Sequence, residues 1–565
     1  MAFQVSPGVQ VKEIDATGVV PAVSTSIGGT VGSFNWGPVE EVVDVSSEKQ
    51  LAEVFGTPDN STYKYFLTAA GFLKYGNALK VVRVASGHDN ATADGSGLLI
   101  KNDDHYTNNY ATGQGSVGLW AAKYPGALGN SLKVAMCTEG SLFAGWGFAS
   151  SFDSAPGTSN YATSLNKGSI GDELHVIVID EDGLISGTAG TVLETFAFVS
   201  QGSDAKKDDG TSNYYVDVIN QGSNYIRWMD HHSTLSEAGN AISASASFTG
   251  LSSNSDQDYV GRSLGGGSDD NTPTAAEILV GFDLLEDAET VDVQLLFAYP
   301  DANGANTISN DLIAIAAARK DCMAFVSPPL DDTVNATTPA ADVKAWADTL
   351  TSSSYASADS TAIYVYDKYN DVYRWIGAAG HIAGLCAATD RTADAWFSPA
   401  GATRGQLFGV TKLAHNPKKA DRDTLYKARV NPIVSFPGEG TLLFGDKTLL
   451  SKPSAFDRIN VRRLFNTLEK AISTAAKAQL FEFNDEFTRA QFKNLVEPFL
   501  RDVKGRRGIT DFSVVCDTTN NTGQIIDTNQ FVADIFIKPA RSINFITLNF
   551  IATRTGVDFS EISGT

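Results

Sequence analysis

With 565 residues the chain is too long for one hydrophobic core, and about one domain per 150 residues predicts three to four. Charged residues make up 19% and the formal net charge is −22, which excludes wholesale wrapping of nucleic acid, since that needs a dense basic face. Hydrophobic content of 42% excludes global disorder, and 51 glycines among many Ser, Thr, Asn and Asp point to a loop-rich, β-rich protein.

Residues 1–20 alternate: Val9 and Val11 share one face, Gln10 and Lys12 the other. A lone half-buried strand either joins a sheet of its own chain or pairs with another chain. No charged head precedes an apolar core there, so no signal peptide is read, and no apolar run reaches the roughly 18 residues that span a bilayer. A soluble protein folded in the cytoplasm is expected. Cys137, Cys322, Cys386 and Cys516 are scattered without a CxxC, so reduced thiols are the default.

From 22 to 86 the pattern is α/β, with helices over 51–55 and 65–73 and a strand over 79–84. The region 87–270 is rich in turn residues and predicts β-rich inserted modules, with strands over 175–180, 195–200 and 214–219. From 271 to 437 a strand-helix-strand pattern returns: strands over 291–299 and 322–327, helices over 309–319 and 341–349, a further strand over 362–367 and an alanine-rich helix near 376–388. The first segment is expected to pack with it, leaving the β-rich region as an insertion.

The block 438–565 stands apart. Residues 451–510 hold twelve Lys and Arg against seven Asp and Glu, a basic stretch in an acidic chain. Val461, Leu464, Phe465, Leu468, Ile472, Ala475, Ala476 and Leu480 fall at helical spacing. A second helix is predicted from Thr488, with Gln491 completing a capping-box spacing, to Gly505, kinked at Pro498. Strands follow over 509–516 and 531–537, and Ile546, Leu548 and Phe550 alternate with polar residues, so three strands on a helical hairpin are expected.

Several chemical motifs are weighed and set aside. Gly261, Ser263 and Gly265 match the nucleophile-elbow pattern of an α/β hydrolase, but polar residues precede them and glycines follow where a helix is required. Gly440, Gly445, Lys447 and Thr448 resemble a phosphate-binding loop in which Asp446 would repel phosphate. The glycines of 27–37 lack dinucleotide-binding spacing. His231 with His232 reads as a surface pair, and Asp269 with Asp270 and Asp331 with Asp332 as solvated turns. No catalytic residue, cofactor or metal is expected.

SPGVQVKEID at 6–15, AAKYPGALGNSLKV at 121–134, VLETFAFVS at 192–200, LGGGSDD at 264–270, GEGTLLFGDKTL at 438–449 and NVRRLF at 460–465 form an ordered set. Together they resemble the tail sheath proteins of contractile bacteriophages, nearest the larger T4-like ones. The resemblance implies an α+β multidomain subunit: an N-terminal strand arm (1–21), an α/β core domain (22–86 and 271–437), β-rich outer insertions (87–270), and an inner domain (438–565) facing a tail tube. It further implies hexameric rings stacked helically around that tube, with contraction driving the tube through the host envelope for genome ejection. Partners would be the chain itself, the tube protein, and baseplate and tail terminator proteins, in a virion tail assembled in host cytoplasm, with no direct nucleic-acid contact and no membrane insertion. A phage-derived injection system such as an R-type bacteriocin is the near alternative. Tube-facing candidates are Arg489, Lys493, Arg501, Lys504, Arg506 and Arg507. Candidates for strands shared between subunits are Val9, Val11, Phe531, Ile535, Ile537, Ile546, Leu548 and Phe550.

Overall fold

A computed structural model describes residues 23–251, 261–302, 304–544 and 547. They form two compact units. The larger is Ala22–Ala395 with Pro399–Lys470; the smaller joins Trp396–Ser398 to the chain beyond Ala471.

The larger unit is organised by a seven-stranded sheet in the order Val430–Asn431, Ala356–Asp359, Met323–Val326, Leu295–Phe297, Gly28–Gly32, Leu79–Arg83, Val42–Val45. Every neighbouring pair is parallel except the last, where Val42–Val45 runs antiparallel on the edge. Strands from 28–83 make one side of the sheet and strands from 295–431 the other, meeting where Gly28–Gly32 pairs with Leu295–Phe297. Phe297, Ala324, Val81 and Val82 are almost wholly inaccessible, as expected of parallel strands covered by helices on both faces.

Gly28–Gly32, the strand within the glycine-rich segment, was invisible to propensity because glycine disfavours strands. Packing explains it. A Cβ on Gly32 would lie 2.5 Å from Cβ of Tyr65, and one on Gly28 would lie 2.8 Å from the Phe72 ring. Both aromatics belong to helix Tyr63–Leu73, which the missing side chains allow to sit close to the sheet.

The expected helices at 51–55, 309–319 and 341–349 are present as Glu48–Phe55, Thr307–Arg319 and Pro339–Thr349. Ser47 caps the first, accepting from Gln50 N, and Pro339 opens the third, where its missing N–H costs nothing. The apolar stretch 291–299 contributes only Leu295–Phe297 to the ladder. Two expectations are corrected. The strand at 362–367 exists as Ile363–Asp367 but lies in a separate antiparallel sheet between Val372–Ile376 and Val410–Leu413, and Ile376, expected to open the following helix, ends a strand instead, the helix starting at Ala379. The stretch 214–219 is helix Tyr215–Gly222, because Tyr215, Val216 and Ile219 bury one helical face; so short an apolar run fits either period.

Within the insertion, Thr191–Ser200, Glu173–Asp180, Leu132–Cys137 and Arg262–Ser263 form an antiparallel sheet, and Trp120–Ala122 pairs with Ile226–Trp228. Its core is separate from that of the parallel sheet.

In the smaller unit, helix Glu486–Gly505 packs on the antiparallel pair Ile509–Val515 and Asp534–Pro539. Phe492, Val496, Leu500, Val503, Ile509 and Val514 form its core. The N-cap is Asp485, whose carboxylate accepts from Thr488 N at 2.8 Å, three residues before the expected cap. The helix runs through Pro498 to Gly505. The last strand begins at Asp534 rather than 531; Phe531 instead meets the edge of Phe492, with ring centroids 5.4 Å apart. Trp396 joins this unit by donating from Nε1 to the Arg506 carbonyl at 3.1 Å, with the Arg506 guanidinium over its ring.

Candidate assembly interface

The basic stretch does not make one surface. Arg463 is buried and pairs with Asp390, and Arg462 is held between the rings of Tyr355 and Phe456 at 4.1 and 4.0 Å. Arg458 meets Asp446, and Lys470 meets Asp292. These four belong to the larger unit. A charge count carries no direction, so the sequence could not separate them from the charges that face solvent.

Of the six tube-facing candidates, Arg489 is turned inward. It is 7% exposed and donates from Nη1 to Asn484 Oδ1 at 2.7 Å. The other five stay at the surface of the smaller unit. Lys493 and Arg501 flank Glu497 at 3.6 and 3.9 Å, Arg506 approaches Asp502 at 3.6 Å, and Lys504 meets Asp511 at 3.2 Å. The Lys504 hydrogen bond holds the Asp511 carboxyl below its usual range. Exposed pairs of this kind contribute under about 1 kcal/mol each, so they yield readily to a partner's charges. Arg507, at φ 67, ends the basic run just past the helix.

The antiparallel pair has only two strands among the described residues, so each has one neighbour. Ile535 faces Val514 and Ile537 faces Phe512 in the ladder, while Phe536 points outward at 61% exposure. Val9, Val11, Ile546, Leu548 and Phe550 lie outside the described residues. An exposed apolar cluster went unread in the sequence: Leu480, Phe481, Phe483 and Phe487 sit around the turn into helix Glu486–Gly505, with Phe481 at φ 70. Leu480 was assigned to the buried face of the preceding helix, which ends at Ala476. Closely spaced aromatics among acidic residues were the available signal.

The residues of the motifs set aside have partners within the fold. Ser263 lies on a strand and donates to Glu181, with no following helix. Lys447 donates to the Tyr426 carbonyl at 2.7 Å, and its ammonium lies 4.1 Å from that ring. Asp446 beside it is buried against Arg458. His231 is half-buried rather than free at the surface: its Nδ1 meets the Tyr215 hydroxyl at 2.5 Å and its ring packs 4.8 Å from Trp228. Burial lowers its pKa. Asp269 accepts from Ala127 N at 2.8 Å, and Asp270 accepts from the Thr272 hydroxyl at 2.9 Å. Asp332 is half-buried, and burial with Asp342 and Asp331 raises its pKa. All four cysteines are buried free thiols. Among the described residues no group of three or more His, Cys, Asp or Glu is placed to hold a metal, and no helix is long and apolar enough to cross a membrane.

Three family models match in chain order: the tail sheath domain III N-terminal region over 25–84, the phage tail sheath central domain over 271–449, and the phage tail sheath C-terminal domain over 451–553. The chain is 34% identical to the tail sheath protein of Vibrio phage KVP40 and 33% identical to that of Enterobacteria phage T4, each alignment covering 99% of both chains. A sheath tail protein from Listeria innocua shares the fold with a TM-score of 0.55 at 12% identity, covering 93% of this chain and 95% of its own. The contracted helical sheath of the anti-feeding prophage does so with a TM-score of 0.51 at 12% identity, covering 98% and 100%. Similarity at this level along the whole length, with the family's domains in order, makes the chain a member of the phage tail sheath protein family.

Proposed function

We propose that this chain is the sheath subunit of a contractile phage tail, polymerising as helically stacked hexameric rings around a tail tube and contracting to drive that tube through the host envelope. The whole-length similarity to tail sheath proteins of phages carries the reading. An injection-system sheath is the second reading, supported by the shared fold with the anti-feeding prophage sheath; the closer sequence relation to phage sheaths favours the first.

In this reading residues 1–21 and the tail beyond 544 supply strands to neighbouring subunits. Strand addition needs an unpaired edge, and both strands of the smaller unit have one among the described residues. The inserted region 87–270 faces outward, 22–86 with 271–437 forms the middle, and 438–565 is innermost, although 438–470 packs with the larger unit. Lys493, Arg501, Lys504, Arg506 and Arg507 grip the tube. Baseplate and terminator proteins close the two ends, the sheath assembles in host cytoplasm, and no catalytic step, cofactor, nucleic acid or membrane insertion is involved.

A donated strand of about five residues adds a few backbone hydrogen bonds, each worth roughly 0.5–1.5 kcal/mol net. Links of that size hold neighbours together while they rotate. The switch needs no nucleotide if the extended lattice is metastable and new contacts between subunits stabilise the contracted one. Deleting residues 1–20 tests the strand reading: folded monomers that no longer polymerise are expected, and ordered sheaths from the truncated chain would refute it.

A further inference from the structure

Ser24 and Thr25 are held by side chains converging from distant parts of the larger unit. Arg463 Nη2 donates to the Thr25 carbonyl at 3.0 Å while the same guanidinium makes two bonds to Asp390, at 2.7 and 2.6 Å. The Thr25 hydroxyl donates to Asp390 Oδ2 at 2.7 Å. Lys470 Nζ donates to the Ser24 carbonyl at 3.3 Å and pairs with Asp292. Two residues on, Ile27 N donates to Gln294 Oε1 at 3.2 Å, and its carbonyl accepts from Gln294 N and Leu295 N at 3.0 and 3.1 Å. The chain then enters Gly28–Gly32, which is paired on both sides near the middle of the seven-stranded sheet.

This arrangement does more than bury a segment. An Arg–carboxylate pair buried to this degree carries a desolvation cost that a plain apolar contact would avoid. Here that pair is directed at the backbone of a short stretch just after residues 1–22. Charge-assisted bonds are roughly twice as strong as neutral ones. Force arriving at Ser24 from its N-terminal side would load this cluster, and then the ladders of a parallel strand pulled along its axis, where the bonds must break together.

We propose that Arg463, Asp390, Lys470 and Asp292 form the anchor through which residues 1–22 pass tension from a neighbouring subunit into the central sheet. Arg463 and Lys470 act as positioning residues for the arm. The proposal rests on the strand-donating reading of that arm. A donated strand can then swivel on its neighbour while its root holds, so subunits stay linked as the lattice changes.

The test uses the full-length chain with Thr25→Val and Lys470→Met, singly and together, and Lys470→Arg as the conservative variant. Lys470 and Thr25 are part-exposed, so the monomer fold is kept. Hydrogen exchange at Ile27 and Gly28 in the monomer should accelerate about tenfold in the double variant, by local opening of the root. Polymerised sheaths should come apart at lower urea while the monomer's unfolding midpoint holds, and Lys470→Arg should restore sheath resistance. Sheaths of the double variant that withstand wild-type urea would overturn the anchor. So would sheath and monomer midpoints that fall together, the signature of a merely structural role. Normal sheaths from a chain lacking residues 1–20 would remove the strand-donating reading itself, and the anchor with it; the point variants and the truncation thus fail separately.

Discussion

Arg463 and Asp390 form a two-bond ion pair inside the larger unit, joining helix Ile459–Ala476 to helix Ala379–Thr392. Arg463 also donates to the Cys386 carbonyl at 3.3 Å, so its guanidinium is tied to helix Ala379–Thr392 at two points. Removing one partner leaves the other charge buried. Arg463→Met should therefore cost about 3–5 kcal/mol of unfolding free energy, as should Asp390→Asn to a similar extent. Urea unfolding of the monomer reads both.

Asp359 gives the clearest pH dependence. It is 1% exposed at the end of strand Ala356–Asp359, accepts from the Ser327 hydroxyl, and burial raises its pKa to about 7. The folded state therefore prefers the protonated acid. Its stabilising contribution is full below the ordinary Asp value and is lost as pH rises toward 7. Over that span the loss amounts to about 4 kcal/mol by linkage. Asp359→Asn should flatten the slope, so the gap in urea midpoint between variant and wild type changes in the variant's favour from pH 4 to pH 7. Parallel slopes would show that Asp359 titrates normally.

The glycines in Gly28–Gly32 should be intolerant of a methyl group. Gly32→Ala places a Cβ against Tyr65 backbone-proximal atoms that cannot move away, at a cost of about 1–3 kcal/mol. Gly505→Ala is the control: a Cβ there meets nothing within 4 Å, so it should be neutral or slightly stabilising. Thermal melts of the two proteins check the contrast.

Much of the α/β frame was readable because buried parallel strands such as 323–326 are continuous apolar runs and helices such as 307–319 carry apolar residues at helical spacing. Gly28–Gly32 was missed because its strand character comes from the approach of Tyr65 and Phe72, not from its own side chains. The basic stretch was legible as composition only. Which charges turn inward depends on partners that a charge count does not record: Arg463 meets Asp390 from a distant helix, and Arg489 folds back onto Asn484 at the start of its own helix. Resemblance across the whole chain, rather than any single motif, carried the functional reading.

Charge reversal on the exposed face should separate grip from fold. Lys493→Glu with Arg501→Glu replaces two exposed i,i+4 pairs to Glu497 with two like-charge ones, so monomer stability should fall by only about 1–2 kcal/mol. Co-sedimentation of sheath with purified tube should weaken, most clearly at low salt, where exposed charges are least screened. Unchanged co-sedimentation would move the tube contact to another face.

The proposed function makes this chain a self-assembling sheath subunit. Electron microscopy of the purified full-length protein, alone and mixed with tube protein, tests it most directly. Long, hollow, cross-striated cylinders with a helical repeat of hexameric rings are expected. Monodisperse single chains that never assemble under either condition would contradict it.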